Sequence, residues 1–214
     1  MRNTVITLTL LLIMCACAQA QETPKFTFNI GGGPTWPVQS ISDFANMSGN
    51  FVVGGGANFS KMFGVDAEYM WNDLPPKQNI VALTAASAGS ARLQSVTGNL
   101  IVHTPEAKKF GGYAIGGTGW YHRSWELTNP AITVGTVCLP SYVWWGIVCT
   151  NGLVSTNVTV ASGSSNAIGW NIGGGITYRL GQSHAKFYTE VRYHIAYTKG
   201  INTDVLPLTF GIRF

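Results

Sequence analysis

Charged side chains are scarce in this sequence. Asp, Glu, Lys and Arg together make up 10% of the 214 residues, whereas soluble domains carry about 25%. The net charge of +4 is too small to indicate nucleic acid, and none is expected as a partner. Long apolar runs are also missing after the N-terminal segment, and a transmembrane helix needs about 20 apolar residues. The composition therefore argues against both a soluble enzyme and a helical membrane protein.

The first twenty residues have the features of an export signal. Arg2 supplies a positive charge, residues 5–14 form a short apolar run, and Ala18-Gln19-Ala20 provides the small residues that signal peptidase recognises. The apolar run is too short to span a bilayer. We therefore predict a signal peptide at 1–20 and a mature β-barrel domain at 21–214.

Cysteine is also rare, and two of the four cysteines lie within the predicted signal. Acylation of Cys15 or Cys17 in a lipoprotein signal is the alternative to cleavage, but Met14 is a poor match to the small residue expected before such a cysteine. Cys138 and Cys149 then remain as a single pair. In an exported protein this pair predicts a disulfide bond. The alternative is a metal site, but no His or second Cys pair lies nearby.

Sequence signatures of soluble enzymes are absent. No HExxH, GxSxG or paired CxxC motif occurs. The glycine runs at 31–33 and 173–175 lie inside predicted strands with no helix after them, so they do not predict a phosphate-binding loop. Glycines in such positions relieve crowding where a small barrel bends. We expect no enzymatic activity, no cofactor and no metal.

Apolar residues recur at every second position in segment after segment. Near the C-terminus Leu206, Leu208, Phe210, Ile212 and Phe214 alternate with smaller or polar residues. This period of two is typical of strands, whereas a helix would need apolar residues three and four apart. The predicted strands are 26–34, 50–60, 64–72, 93–104, 110–122, 166–180, 185–198 and 206–214.

The connections between these strands alternate in length. The long ones are 35–49, 73–92, 123–165 and, more modestly, 199–205. Short periplasmic turns and longer outer loops are typical of outer-membrane barrels, whose strands point apolar residues outward. We therefore predict an all-β fold, an eight-stranded antiparallel up-and-down transmembrane β-barrel with both termini on the periplasmic side.

The last strand runs directly into Phe214. It resembles the terminal strand of bacterial outer-membrane proteins, whose final aromatic residue is part of the signal read by the barrel-assembly machinery. The whole mature chain resembles the small outer-membrane barrels of the OmpA and opacity-protein type, the general outer membrane protein β-barrel domain. The resemblance implies a place in the bacterial outer membrane, with outer-membrane lipid and the assembly machinery as partners, and implies no single activity.

The alternation also predicts which charged residues point into the barrel. An eight-stranded barrel has room inside for side chains rather than for a wide channel, and buried charges must pair. Three acids and three arginines nearly balance, which favours a plugged, ion-paired interior over a narrow ion pathway. The predicted interior network is Asp66, Glu68, Arg179, Glu190, Arg192 and Arg213.

His194 is the one candidate for catalysis. The segment from Glu190 to His194 is loosely similar to lipid A deacylases, which are outer-membrane barrels with a membrane-exposed His and Ser two residues apart on one face. Position 196 is Ala here, and Thr198 is a poor substitute, so the nucleophile that the resemblance implies is missing. We expect His194 to face the lumen as part of the polar network.

Residues 123–165 form the longest predicted connection. Its β-prone stretches and the pair Cys138–Cys149 predict a hairpin above the membrane, with Tyr142, Trp144 and Trp145 at a disulfide-closed tip. Such a tip either binds an unknown surface ligand or folds onto the barrel rim. The aromatics near strand ends predict interfacial girdles: Trp71, Trp120, Tyr121, Trp125, Trp170, Tyr178 and Tyr197. A non-enzymatic surface-interaction role is expected, with a lipid-modifying enzyme or a narrow pore as alternatives.

Overall fold

The computed structural model describes residues 26–84, 86–105, 109–141, 146–181 and 185–214, and these residues form a closed antiparallel barrel. Each strand pairs with its neighbours in chain order, and the first pairs with the last. The predicted eight-stranded up-and-down barrel is confirmed. The strands are β1 Phe26–Val38, β2 Ser48–Asn58, β3 Phe63–Asp73, β4 Ala88–His103, β5 Phe110–Ser141, β6 Gly146–Arg179, β7 Lys186–Ala196 and β8 Thr203–Arg213.

The seam of the barrel joins the first and last strands. Asn29 on β1 lies opposite Arg213 on β8. Beyond that pair, the Phe214 N–H donates to the Phe28 carbonyl at 2.8 Å, and the Phe28 N–H donates to the Phe214 carbonyl at 3.2 Å. The C-terminal residue therefore takes part in closing the ring through its backbone.

The two faces of the sheet have the polarity of a membrane barrel. On β7 the outward residues Phe187 and Val191 are 41% and 46% exposed, whereas the inward Glu190 and Arg192 are 3% and 1% exposed. A water-soluble protein would bury the apolar set. Lipid around the outward face and polar contacts inside the lumen account for this reversed pattern.

The glycine runs make room for tyrosines in the lumen. A Cβ atom at Gly31 would lie 2.5 Å from the Tyr188 hydroxyl oxygen, and one at Gly175 would lie 2.6 Å from the Tyr113 ring. The same Cβ atoms would lie 2.7 Å from the Phe210 carbonyl oxygen and 2.6 Å from that of Thr189, and because this backbone cannot move aside, only glycine fits at these positions. The repeated glycine triplets thus follow from the packing of large inward side chains in a narrow barrel.

An apolar cluster closes the lumen at the end opposite the termini. The β1–β2 connection contains a short 3-10 helix, Gln39–Asp43, and the β3–β4 connection contains α1, Gln78–Val81. The two connections bond to each other, because the Asn46 N–H donates to the Pro75 carbonyl at 2.9 Å. Neither helix, nor any other in the described residues, is long and apolar enough to cross a membrane. The cluster comprises Ile41, Ala45, Leu74, Leu93, Tyr121, Ala167, Ala196 and Val205.

Within the predicted connection 123–165, the described residues 123–141 and 146–165 are strand and not a separate loop. β5 and β6 were predicted to span 110–122 and 166–180, but both continue without a break until β5 ends at Ser141 and β6 begins at Gly146. The predicted hairpin is the extension of these two barrel strands. The sequence underestimated their length because Gly, Pro and Asn between the β-prone stretches resemble turn signals. β1 also runs past its predicted end at 34, to Val38.

Candidate functional site

The lumen holds a buried ion network at its centre. The Arg192 guanidinium bonds to both the Glu68 and the Glu190 carboxylates, and all three residues are at most 3% exposed. Asn29 donates to Glu68 Oε1 at 2.7 Å, and the Tyr113 hydroxyl donates to Glu190 Oε2 at 2.8 Å. The charges are therefore paired and hydrogen-bonded, as burial requires.

The other predicted interior charges lie apart from this network. Arg213 is buried with its Cζ atom 4.7 Å from the Tyr113 ring centre and 5.2 Å from that of Tyr188, so the two rings face its cation. Asp66 is also buried, but no described residue forms an ion pair with it. Arg179 is the last residue of β6 and is only partly buried. The structure thus brings together three of the six predicted residues in direct contact.

Polar residues without charge extend the network around the lumen. Asn99 donates to Glu68 Oε2 at 3.2 Å, and Asn171 donates to Asn99 Oδ1 at 2.9 Å. No sequence motif predicted Asn29, Asn99 or Tyr113 as members of this network. Strand parity could have identified these residues, because each lies at an inward position of its strand and so shares a face with the ionic residues.

His194 lies inside the barrel and not on its lipid face. The residue is 1% exposed, and its Nδ1 lies 3.0 Å from the Tyr121 hydroxyl. Ala196 beside it is fully buried, and the hydroxyl of Thr198 is bonded to the Ile201 carbonyl at 2.6 Å. The hydroxyl that the resemblance requires at position 196 is missing, and the hydroxyl that contacts the imidazole is instead the buried phenol of Tyr121. No group of three or more metal-ligating side chains occurs in the described parts of the chain.

Beyond the barrel, β5 and β6 pair with each other and with no other described strand. The last pair between β4 and β5 is Ala88 with Thr128, and the β5–β6 ladder continues to Ser141 with Gly146. We call residues 129–141 and 146–158 the ribbon. At about 3.4 Å per residue, it extends on the order of 40 Å from the barrel. No Asp, Glu, Lys or Arg occurs between Glu126 and Arg179, so the ribbon is uncharged.

Apolar side chains stand exposed along the ribbon. Ile132, Val134 and Leu153 are 73%, 74% and 73% exposed, and Val134 lies directly opposite Leu153. Near the end of the ribbon, Cys138 and Cys149 lie opposite each other and form the predicted disulfide bond. The predicted contact residues Tyr142, Trp144 and Trp145 lie outside the described residues, as does the predicted signal peptide at 1–20.

An aromatic belt marks the outer edge of the lipid-facing surface. Trp36, Trp120 and Trp170 are outward and exposed, and the Trp170 indole donates to the Tyr197 hydroxyl at 2.9 Å. The prediction that Tyr121 belongs to this girdle was wrong. Tyr121 is fully buried because its position on β5 has inward parity, one residue away from the outward Trp120.

Nearly the whole chain matches a known family. The model for the outer membrane protein beta-barrel domain covers residues 6–214. This chain belongs to that family. Its members are proteins of the bacterial outer membrane, so the predicted localisation is confirmed. A comparison with curated proteins finds no match.

Several solved bacterial barrels are similar to this chain, and the likeness in fold rests on the first of them. Neisserial surface protein A is 11% identical, with a TM-score of 0.57, over 89% of this chain and 96% of that chain. Ail of Yersinia pestis is 12% identical, with a TM-score of 0.48, over 90% and 100%. OprG of Pseudomonas aeruginosa is 12% identical, with a TM-score of 0.47, over 89% and 96%. At these identities the likeness concerns the fold alone.

Proposed function

We propose that the protein is a closed, non-enzymatic outer-membrane barrel that holds the ribbon above the outer leaflet for contact with a surface partner. The observation that carries this proposal is the ribbon itself, which exposes Val134 and Leu153 far from the barrel and carries no charge. A two-stranded hairpin is marginal in water by itself. Exposed apolar surface held at a distance from the membrane is typical of an interaction site.

The lumen supports a structural role for the barrel. The ion network around Arg192 fills its centre, and the apolar cluster that contains Leu74 and Tyr121 closes the end next to the ribbon. Both features argue against a narrow pore. The burial of His194 argues against a lipid-modifying enzyme, because an acyl chain in the membrane would not reach its imidazole.

Export and assembly complete the proposal. Residues 1–20 would be removed as a signal peptide, and Phe214 would be recognised by the barrel-assembly machinery before its backbone closes the seam with Phe28. Sequencing the N-terminus of the outer-membrane form tests the first step. Gln21 as the first residue supports cleavage, whereas a lipid-modified Cys15 or Cys17 would overturn the division of the chain at residue 20.

The surface role is tested with apolar substitutions on intact cells. We compare the wild type with a Val134→Ser/Leu153→Ser variant for cell–cell aggregation and for adhesion to collagen, fibronectin and abiotic surfaces. Leu83→Ser is the matched control, because Leu83 is 84% exposed but lies in the β3–β4 connection. We expect only the double variant to lose aggregation or adhesion. It should still migrate as a folded, heat-modifiable barrel. Unchanged aggregation and adhesion of the double variant in every assay would contradict the proposed surface role.

A further inference from the structure

The outward face of β4, β5 and β6 becomes polar at the base of the ribbon. Two rows of directly opposed residues lie there. The first row is Arg92, Ser124 and Ser164, and the second is Ser90, Glu126 and Ser162. Opposed residues of antiparallel strands share a face, and these positions have the parity of the lipid-facing residues below them. We call these six residues the outward patch.

The outward patch adjoins the lipid-facing surface without a gap. Val96, Trp120 and Ile168 form a row of opposed residues that are 51%, 46% and 72% exposed. The next outward row up contains His122 and Asn166, and the patch follows it. Each step of two residues is about 7 Å, so the patch lies at the height of the lipid headgroups and just above them.

Arg92 and the serines of the patch are available to a ligand, whereas the Glu126 carboxylate accepts a hydrogen bond from the Thr159 hydroxyl. Arg92 is exposed, and no hydrogen bond or ion pair joins its guanidinium to any described residue. Arg123, one position away from Ser124 on the opposite face of β5, instead donates to the Thr203 hydroxyl at 3.1 Å. The hydroxyls of Ser124 and Ser164 likewise have no bonded partner in the described chain. Together with Ala91, Trp125 and Gly163, the patch lines a cleft of about 310 Å³.

An aromatic platform lies in the two outward rows just below the patch. The Trp120 and His122 rings stack with centres 5.6 Å apart and planes 21° apart. His122 Nδ1 lies 2.7 Å from Asn166 Oδ1, which fixes the imidazole in this position. Flat rings offer apolar surface to the C–H faces of sugars, while hydroxyl and guanidinium groups bond sugar hydroxyls and phosphate.

We propose that the outward patch binds the phosphorylated saccharide of an outer-leaflet glycolipid, that is, of lipopolysaccharide. The free Arg92 cation suits a phosphate, and the serines suit sugar hydroxyls. Continuity with the lipid-facing row selects a glycolipid, because its acyl chains would lie along Val96 and Ile168 while its sugar reaches the cleft. The proposal concerns the barrel wall and does not depend on the function proposed for the ribbon.

Binding to the purified barrel tests this assignment. The mature chain in detergent micelles is titrated with rough-type lipopolysaccharide, with phosphatidylglycerol and with the released core oligosaccharide, and the affinity of each is measured by microscale thermophoresis. We expect lipopolysaccharide to bind about tenfold or more tightly than either other probe. Arg92→Gln should lower its affinity about tenfold, as loss of a charge-assisted bond predicts. Ser124→Leu, which fills the cleft, should lower it as well.

Lys199→Gln is the matched control, since Lys199 is an exposed cation in the β7–β8 connection at the same end of the barrel. It should bind lipopolysaccharide as the wild type does, and heat-modifiable migration verifies that every variant is folded. Equal affinities for lipopolysaccharide and phosphatidylglycerol would overturn the proposal, because the lipid-facing surface alone would then account for binding. Equal affinity for the free oligosaccharide would overturn the glycolipid assignment, and wild-type affinity in both patch variants would overturn the site.

Discussion

Glu68 on β3 and Arg192 on β7 form a buried ion pair across the lumen, although 124 residues separate them in the chain. Glu190, two residues from Arg192 on the same inward face, bonds to the same guanidinium. The pair therefore ties opposite walls of the barrel together. Since each charge is nearly inaccessible to solvent, the loss of one partner leaves the other uncompensated.

Removal of Arg192 should destabilise the barrel. Arg192→Ala leaves two buried carboxylates without their cation, and we expect the free energy of unfolding to fall by about 3–5 kcal/mol. Urea titration in micelles, followed by tryptophan fluorescence, measures the change. Lys199→Ala, at an exposed position, should stay within about 0.5 kcal/mol of the wild type. A loss below about 1 kcal/mol for Arg192→Ala would show that the network is solvated.

The barrel should not conduct ions. The apolar cluster around Leu74 and Tyr121 closes the lumen independently of the ion network. We therefore expect no discrete conductance steps in planar bilayers, either for the wild type or for Arg192→Ala. Steps in the wild type that change with substitution of Glu190 would contradict the closed lumen and favour a narrow pore.

His194 should matter for stability and not for lipid chemistry. His194→Ala removes a buried contact with Tyr121, so we expect a lower free energy of unfolding, by about 1–3 kcal/mol. The lipid A of cells that express the variant should have the same acylation by mass spectrometry as that of wild-type cells. Loss of a modification in the variant alone would indicate an enzyme.

The disulfide bond should stabilise the ribbon without affecting the barrel. Cys138 and Cys149 are separated by 11 residues, and the chain-entropy estimate for such a loop is roughly 3 kcal/mol. In a Cys138→Ser/Cys149→Ser variant, protease treatment of intact cells should cut the ribbon faster, while heat-modifiable migration stays unchanged. Equal cutting rates with and without reductant in the wild type would contradict a stabilising role.

Phe214 should affect assembly more than final stability. Its backbone pairs with Phe28, but its side chain is 52% exposed on the outward face. In Phe214→Ala the backbone bonds remain, so we expect slower appearance of the heat-modifiable form in cells and a small change in the urea midpoint of the purified barrel. Ile212→Ala, two residues earlier on the same face, serves as the control. Equal assembly rates for both variants and the wild type would argue against an assembly signal at Phe214.

Much of the barrel could be predicted because its pattern is local. The alternation along β7, from Lys186 to Ala196, places Phe187 and Val191 on one face and Glu190 and Arg192 on the other, whatever the strand pairs with. The same parity predicted that His194 faces the lumen. Tyr121 was misassigned because its proximity to a strand end was given more weight than its inward parity.

Which inward residues contact each other was decided by the tertiary structure alone, through the register of the strands and the closure of the ring. Parity placed six charges in the lumen, but the stagger between strands determined that Glu68, Glu190 and Arg192 meet while Arg213 packs on tyrosines. The apolar cluster needed two connections to meet above the ring. The length of the ribbon followed from continuous pairing of β5 with β6 beyond their barrel neighbours. Local periodicity specifies faces, whereas contacts across a lumen require the ring to close.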